Sequence, residues 1–499
     1  MFLWLWWIAG LAALGMTGLA VWRPRLKAAW WVALGTGLVM ALLWAVAFPA
    51  APRTVLWPGR WAPVLPPPAQ HITPWQWAAG LALLTTAWAG MALTGTRPAP
   101  PVARPGPWRW WLLAAMLGLT ALTAATGWAL AVAWMLLDLL VLAVEMRIYA
   151  GAEARAAALQ RTAARALFWV LPLWSAALPA AWQSPLWAAA VLARAWATRM
   201  PPLTEPASIF ASTGRWVFWL PWLATLAPWL AATRAQPAFP VGLALAVAVV
   251  GLGSAWRAWQ GPTPAARQRG WAVASAVLVL LAAMRDPQAA QAWLLALFLL
   301  GLNREALTLL PDPWLIGLVA VLWGGPALML PFTPTAITAG LWRWPPAGLD
   351  AAQAAIYGLL LAAAWRHWPR PREGLAAFPR GAQILAAWGL LLPGVTLWGI
   401  GLRLGWLTPP PGVPGWAPWL LGPALTALAA LASRWPRGTG AARRVALPRP
   451  EDFFRLALRA GMRRLEDVVL FATALLEGEG GLFWALVALA VGFLLWKGG

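Results

Sequence analysis

The chain has 499 residues, of which 62% are hydrophobic and 10% are charged. Soluble domains average roughly 25% charged residues, so an ordinary cytosolic enzyme is excluded. The formal net charge is +22, from 37 basic and 15 acidic residues, and the absence of Cys excludes disulfides, thiolate metal centres and Cys nucleophiles.

In chain order, apolar runs at 2–22, 28–49, 74–95, 110–126, 129–148, 166–183, 185–199 and 216–233 are followed by runs at 240–256, 270–285, 289–303, 314–331, 353–366, 383–402, 416–433 and 480–496. They read as bilayer-spanning helices. The fold class expected is an all-α polytopic membrane protein with about 14–16 transmembrane helices. The first run lacks a small-residue cleavage pattern after it and reads as a retained helix. Residues 51–73 are Pro-rich and read as a short β-turn structure or an extended cap; residues 96–109 form a Pro-rich loop.

Residues 435–479 behave differently. Pro450 stands at a helix N1 position with Glu451 and Asp452 in the first turn. Phe454, Leu458, Met462, Leu465 and Val469 then form an apolar stripe, with Arg455, Arg459 and Arg463 off it. The pattern predicts a lateral amphipathic helix about 40 Å long on the membrane surface before the last span. The expected organisation is a helix bundle over 1–434, a loop with the lateral helix over 435–479, and an anchor over 480–499.

Basic residues sort by loop. Arg23 and Lys27, Arg97 and Arg104, Arg155 and Arg161, Arg267 and Arg269, Arg370 and Arg372, and Arg437 to Arg449 all follow odd-numbered runs. By the positive-inside rule that side is cytoplasmic, the N-terminus is outside, and the protein lies in the plasma membrane. The charge then serves topology and anionic lipid headgroups; no nucleic-acid partner is expected. Many of the 44 Trp, such as Trp30–Trp31 and Trp342–Trp344, fall at run ends, where an indole suits the headgroup level. The Ala-, Arg- and Trp-rich composition reads as that of a thermophile.

Charges inside spans are the functional candidates of a membrane protein. Asp138 and Glu145 are seven residues apart, on one helix face two turns apart. Arg194 lies inside a run, with Arg199 just before the Pro201–Pro202 break. Arg stays charged when buried, so it anchors a carboxylate but carries no titrating proton. Pro331 and Pro334 in LPFTPTAITAGLW predict a second broken helix. Broken helices are tolerated where protein or water satisfies the freed backbone groups.

Four stretches give the chain a family resemblance. They are AMLGLTALTAATGWALAVAWMLLDL (115–139), the Ala- and Arg-rich 153–183, the Pro-rich 192–234, and WGGPALMLPFTPTAITAGLW (323–342). By their order and spacing the chain resembles the antiporter-like membrane subunits of respiratory complex I, Mrp antiporters and membrane-bound hydrogenases, over about residues 75–400. The amphipathic helix before a last span resembles the most distal such subunit of complex I, although shorter. The resemblance implies an antiporter-like fold with broken helices, partner membrane subunits and no cofactor of its own.

The resemblance also implies a mid-membrane proton chain of a Glu, two Lys or Lys/His groups, and a Lys or Glu. Here those positions fall on Met135 with Asp138 one turn on, near Trp196 with Arg194 two residues before, on Ser212, and on Leu341 or Trp342. Lys stands only at Lys27 and Lys497; the other 35 basic residues are Arg. A Lys relay is therefore absent, and the expectation is a degenerate, structural subunit of a redox-driven ion-translocating complex without catalytic activity of its own. Two alternatives stay open. One is an active proton or cation translocator using Asp138 and Arg194. The other is a polytopic glycan or lipid transferase, although no Walker A, DxD or HExxH pattern is visible. His71 and His367 read as loop residues, and no metal is expected.

Overall fold

The computed structural model describes residues 8–9, 11–12, 15, 28–49, 53–56, 69–125, 127–148, 155, 159, 162, 185, 188–189, 192, 195, 241–261, 264–283, 290–297, 320–327, 332–341, 348–365, 380–408 and 424, with 95–107 excepted. All but Leu56 belong to one compact unit, Met1–Val55 with Ala69–Arg434; the second unit, Leu56–Pro68 with Trp435–Gly499, otherwise lies outside the described residues.

The elements are α1 (Ala28–Val46), β1 (Arg53–Leu56), β2 (Ala69–Ile72), α2 (Pro74–Thr94), α3 (Trp108–Thr123), α4 (Gly127–Ile148), α5 (Val241–Gln260), α6 (Pro264–Ala283), α7 (Gly348–Trp365) and α8 (Arg380–Leu404). Residues 290–297 are also helical. Each helix follows an apolar run read from the sequence, shifted by a few residues where polar end groups still belong to the helix. α6, for example, takes in Arg267 and Arg269 and starts six residues before its run. The structure is mostly helical, and Val241–Gln260 and Ala387–Leu404 are each long and apolar enough to cross a bilayer, with mean hydropathies of 1.7 and 1.3.

α2 is the hub of the first group. It packs on α1, α3 and α8, while α3 also packs on α4. Its start is built by a capping box: the Thr73 hydroxyl accepts from the Gln76 N–H at 3.2 Å, and Gln76 Oε1 accepts from the Thr73 N–H at 2.7 Å. Pro74 follows at the first helical position, where no N–H is needed. The strands β1 and β2 pair as a two-stranded sheet within the Pro-rich 51–73 stretch, and Gln70 of β2 bridges to Ala124 at the end of α3. The Thr123 hydroxyl donates to the Gln70 side-chain oxygen, so this junction is closed by side chains as well.

α5, α6 and α7 form a second group, in which α5 packs on both others. Gly251 makes this possible. A Cβ there would lie 2.5 Å from Val277 Cγ1 of α6 and 2.6 Å from Ile356 Cδ1 of α7. α8 packs on α2 and on the stretch around residue 320.

Candidate functional site

α4 places Asp138 on its buried face. Leu130, Trp134, Leu137 and Val141 are buried with it, while Val132, Leu136 and Leu139 are exposed on the opposite side. Asp138 itself is 3% exposed. Helical spacing puts the acid and the Leu/Val stripe on opposite faces, and the acid's face is the packed one. Glu145 lies two turns further along α4, and its side chain is outside the described residues, as is all of Arg194, Arg199, Ser212, Pro201, Pro202 and Pro331. The lateral-helix residues Phe454, Leu458, Met462, Leu465 and Val469 are also outside them.

A second polar site lies around residues 320–341. Ala320–Gly324 is a π-helical turn, Gly325–Ala327 one α turn, and Ala336–Leu341 a 3-10 helix. Between them Phe332 has φ of 60°, a left-handed conformation that costs a bulky residue on the order of 1–3 kcal/mol. Such irregular backbone needs external partners, and α8 supplies them.

α8 ends in a Schellman motif. Gly405 has φ of 70°, the Trp406 N–H donates to the Gly401 carbonyl at 2.9 Å, and the Gly405 N–H to Leu402 at 3.4 Å. The reversal turns the next two carbonyls toward the break. Phe332 N–H donates to Leu407 O at 3.1 Å and Ile337 N–H to Trp406 O at 3.2 Å. Pro334 is buried here against Gly401, where a Cβ would come within 2.8 Å of the Pro ring.

Hydroxyls close the remaining carbonyls. Thr335 Oγ1 donates to Pro326 O at 2.6 Å and lies 3.2 Å from Thr333 Oγ1, and Thr338 Oγ1 donates to Thr335 O. The Tyr357 hydroxyl of α7 donates to Ala327 O, and Trp398 Nε1 of α8 donates to Leu322 O at 3.1 Å. The Tyr357 ring stands edge-on to Trp293, with centroids 4.6 Å apart. Among the described residues, the first half of the segment is therefore clamped by α7 and α8 through side chains.

α7 adds an acid that the apolar runs do not reveal. Asp350 is 0% exposed in the first turn of α7, and Gln353 and Tyr357 follow on the same face, both buried. A carboxylate there gains from the positive end of the helix dipole. The run at 353–366 starts three residues too late to include it; the signal in the sequence is Pro345–Pro346 just before, followed by an acid in a first turn. Among the described residues no three His, Asp or Glu side chains gather into a metal-binding group. The segment around 320–341 offers hydroxyl and indole donors and backbone carbonyls, and α7 beside it carries one buried carboxyl.

The described residues form a mostly helical bundle, with two helices long and apolar enough to cross a membrane and a discontinuous segment packed against α7 and α8. Among solved structures, a chain of the Mrp complex from Dietzia sp. DQ12-45-1b is similar over 97% of this chain and 63% of its own, at 15% identity and a TM-score of 0.59. This chain thus spans less than two thirds of that one's length. A chain of the membrane-bound sulfane sulfur reductase, an archaeal respiratory membrane complex, is similar over 87% of this chain and 99% of its own, at 12% identity and a TM-score of 0.54. A chain of respiratory complex I from Thermus thermophilus overlaps 87% of this chain and 98% of its own, at 17% identity and a TM-score of 0.43. No protein-family model and no curated protein matches. What the Mrp-complex chain and the sulfane sulfur reductase chain share with this one is the fold.

Proposed function

We propose that this chain is an antiporter-like membrane subunit of a multisubunit redox-driven ion-translocating complex, of the NADH:quinone oxidoreductase or hydrogenase type, and that its role there is architectural. The observation that carries the reading is a fold of the antiporter-like class in a chain whose only Lys are Lys27 and Lys497. A buried Lys can be tuned to release its proton near neutral pH; an Arg cannot. With 35 Arg and two Lys near the chain ends, the relay such a fold is built around has no carriers of the usual kind. Partner subunits and the lipid bilayer then supply its surroundings, with the basic loops on the cytoplasmic side of the plasma membrane.

Affinity purification of the tagged chain from its native membrane in mild detergent tests the reading. It should arrive with other membrane subunits and with redox-active subunits. Recovery as a lone monomer under conditions that keep other respiratory complexes intact would overturn it.

A second reading, active translocation through Asp138 with Arg194, is supported by the burial of Asp138 on the inward face of α4. Asp138→Asn separates the two. An architectural subunit leaves redox-driven proton movement into membrane vesicles unchanged, whereas a translocator using this carboxyl loses it.

A further inference from the structure

The hairpin of α5 and α6 gathers three cations at its turn. Arg257 lies in the last turn of α5, and Arg267 and Arg269 lie in the first two turns of α6. Two glycines bring them together. A Cβ at Gly261 would lie 2.5 Å from Arg257 O and 3.0 Å from Arg267 Cγ. A Cβ at Gly270, next to Arg269, would lie 2.5 Å from Ala258 N and 3.0 Å from the Arg257 carbonyl carbon. Arg267 Nη1 donates to Gly261 O at 2.9 Å, which lays that side chain across the turn. All three Arg are half-buried.

The sequence supplies no counter-charge at this turn, because it has no acid between Glu205 and Asp286. α7 also packs on α5, and its one acid, Asp350, is 0% exposed. α6 has no acid in its first turn, so Arg267 and Arg269 stand against the positive end of its dipole. An anion at the turn is attracted by three guanidinium groups and by that dipole at once.

The surface leading away from the turn is apolar. Leu245, Val249 and Trp256 share one face of α5 and are each more than half exposed. From Trp256 to Leu245 is about 17 Å along the helix, close to the roughly 15 Å of one leaflet's hydrocarbon. Trp256 precedes Arg257 directly, and an indole suits the headgroup level. A small soluble anion would use the cations and leave this face uncovered; a phospholipid uses both.

We propose that the end of the α5–α6 hairpin is a binding site for one anionic phospholipid. Arg257, Arg267 and Arg269 hold the headgroup phosphate, and the Leu245–Val249–Trp256 face takes an acyl chain. The site rests on the reading of α5 as a membrane span, and not on whether the subunit is architectural.

The full-length protein in nanodiscs of phosphatidylcholine with a minor share of phosphatidylglycerol, released for native mass spectrometry, reads the site by the phosphatidylglycerol it retains. Arg257→Gln with Arg269→Gln leaves the Arg267–Gly261 bond in place and should reduce that retention severalfold, with retained phosphatidylcholine unchanged. Should that variant not fold, Arg257→Lys with Arg269→Lys keeps the charges, loses the two-pronged guanidinium geometry, and should also lower it. Retention by the unaltered protein that only matches the phosphatidylglycerol share of the bilayer overturns the proposal. So does retention that a folded variant leaves unchanged. Displacement of the lipid by inorganic phosphate, but not by chloride at matched ionic strength, overturns the choice of a lipid. Failure of the unaltered protein to enter nanodiscs would instead overturn the membrane reading itself, and the site with it.

Discussion

Trp44 and Trp77 each donate the indole N–H to the other's backbone carbonyl, both at 2.8 Å, and so bolt the end of α1 to the start of α2. The two helices run antiparallel, which makes the exchange reciprocal. Phe48 stands edge-on to Trp77 at 4.9 Å, and Arg403 of α8 lies over the Phe48 ring at 4.2 Å. Trp44→Phe or Trp77→Phe removes one donor and leaves a buried carbonyl short of it. Each single change should cost about 1–3 kcal/mol. The double change should cost less than the sum, because the pair acts as a unit. Thermal unfolding followed by circular dichroism in detergent measures both.

Gly80 of α2 sits where α1 and α3 close in. A Cβ there would lie 2.7 Å from Trp44 Nε1 and 2.7 Å from Leu119 Cδ1. Gly80→Ala should destabilise by about 1–3 kcal/mol through overpacking, and should disturb the Trp44 bond as it does so. Gly35, on α1, has open space around the same position. Gly35→Ala should be neutral or stabilise by about 0.5–1 kcal/mol from helix propensity. Melting midpoints of the two variants should move in opposite directions.

The capping box at the start of α2 gives a third expectation. Thr73→Ala removes the hydroxyl that accepts from the Gln76 N–H. The loss should be about 0.5–2 kcal/mol, and Thr73→Ser should restore most of it. Hydrogen exchange should rise first at the amides of residues 75–77.

Thr335→Val tests the clamp on the discontinuous segment. The change keeps the shape but removes the donor to Pro326 O and the contact with Thr333 Oγ1. About 1–3 kcal/mol should be lost, because these groups are buried. Thr408→Val, at an exposed position with a 3.5 Å contact, should change stability by less than about 0.5 kcal/mol. Equal effects at the two positions would remove the clamp from consideration.

Local hydropathy carries far in this chain. The helices α2, α4, α7 and α8 overlap the apolar runs at 74–95, 129–148, 353–366 and 383–402. Thr73-Pro74-Trp75-Gln76 is equally a local signal, since a capping box joins residues three apart. Helical period puts Asp138 on the face of Trp134 and Val141, and packing on α3 makes that face the buried one.

Trp shows where local reading stops. Composition and position assign many of the 44 to the headgroup level, and Trp31 is exposed on α1. Trp44, Trp77, Trp88, Trp323 and Trp398 instead work inside the bundle, four of them on carbonyls 33 to 76 residues away. An indole is amphipathic, so its sequence position does not say whether its N–H faces headgroups or a neighbouring helix. Asp350 was hidden because the apolar run starts at residue 353, while the helix begins at Gly348.

By itself, then, the sequence determined the helical class, the places of the described helices and the scarcity of Lys. These depend on residue chemistry and on spacings of a few residues. Only the tertiary structure decided which carbonyls each indole and hydroxyl reaches, how the end of α8 supports Phe332 and Ile337, and that Asp350 is enclosed. Those outcomes depend on contacts between helices distant in the chain, and a hydrogen bond is set by the position of both partners rather than by either one's neighbours in sequence.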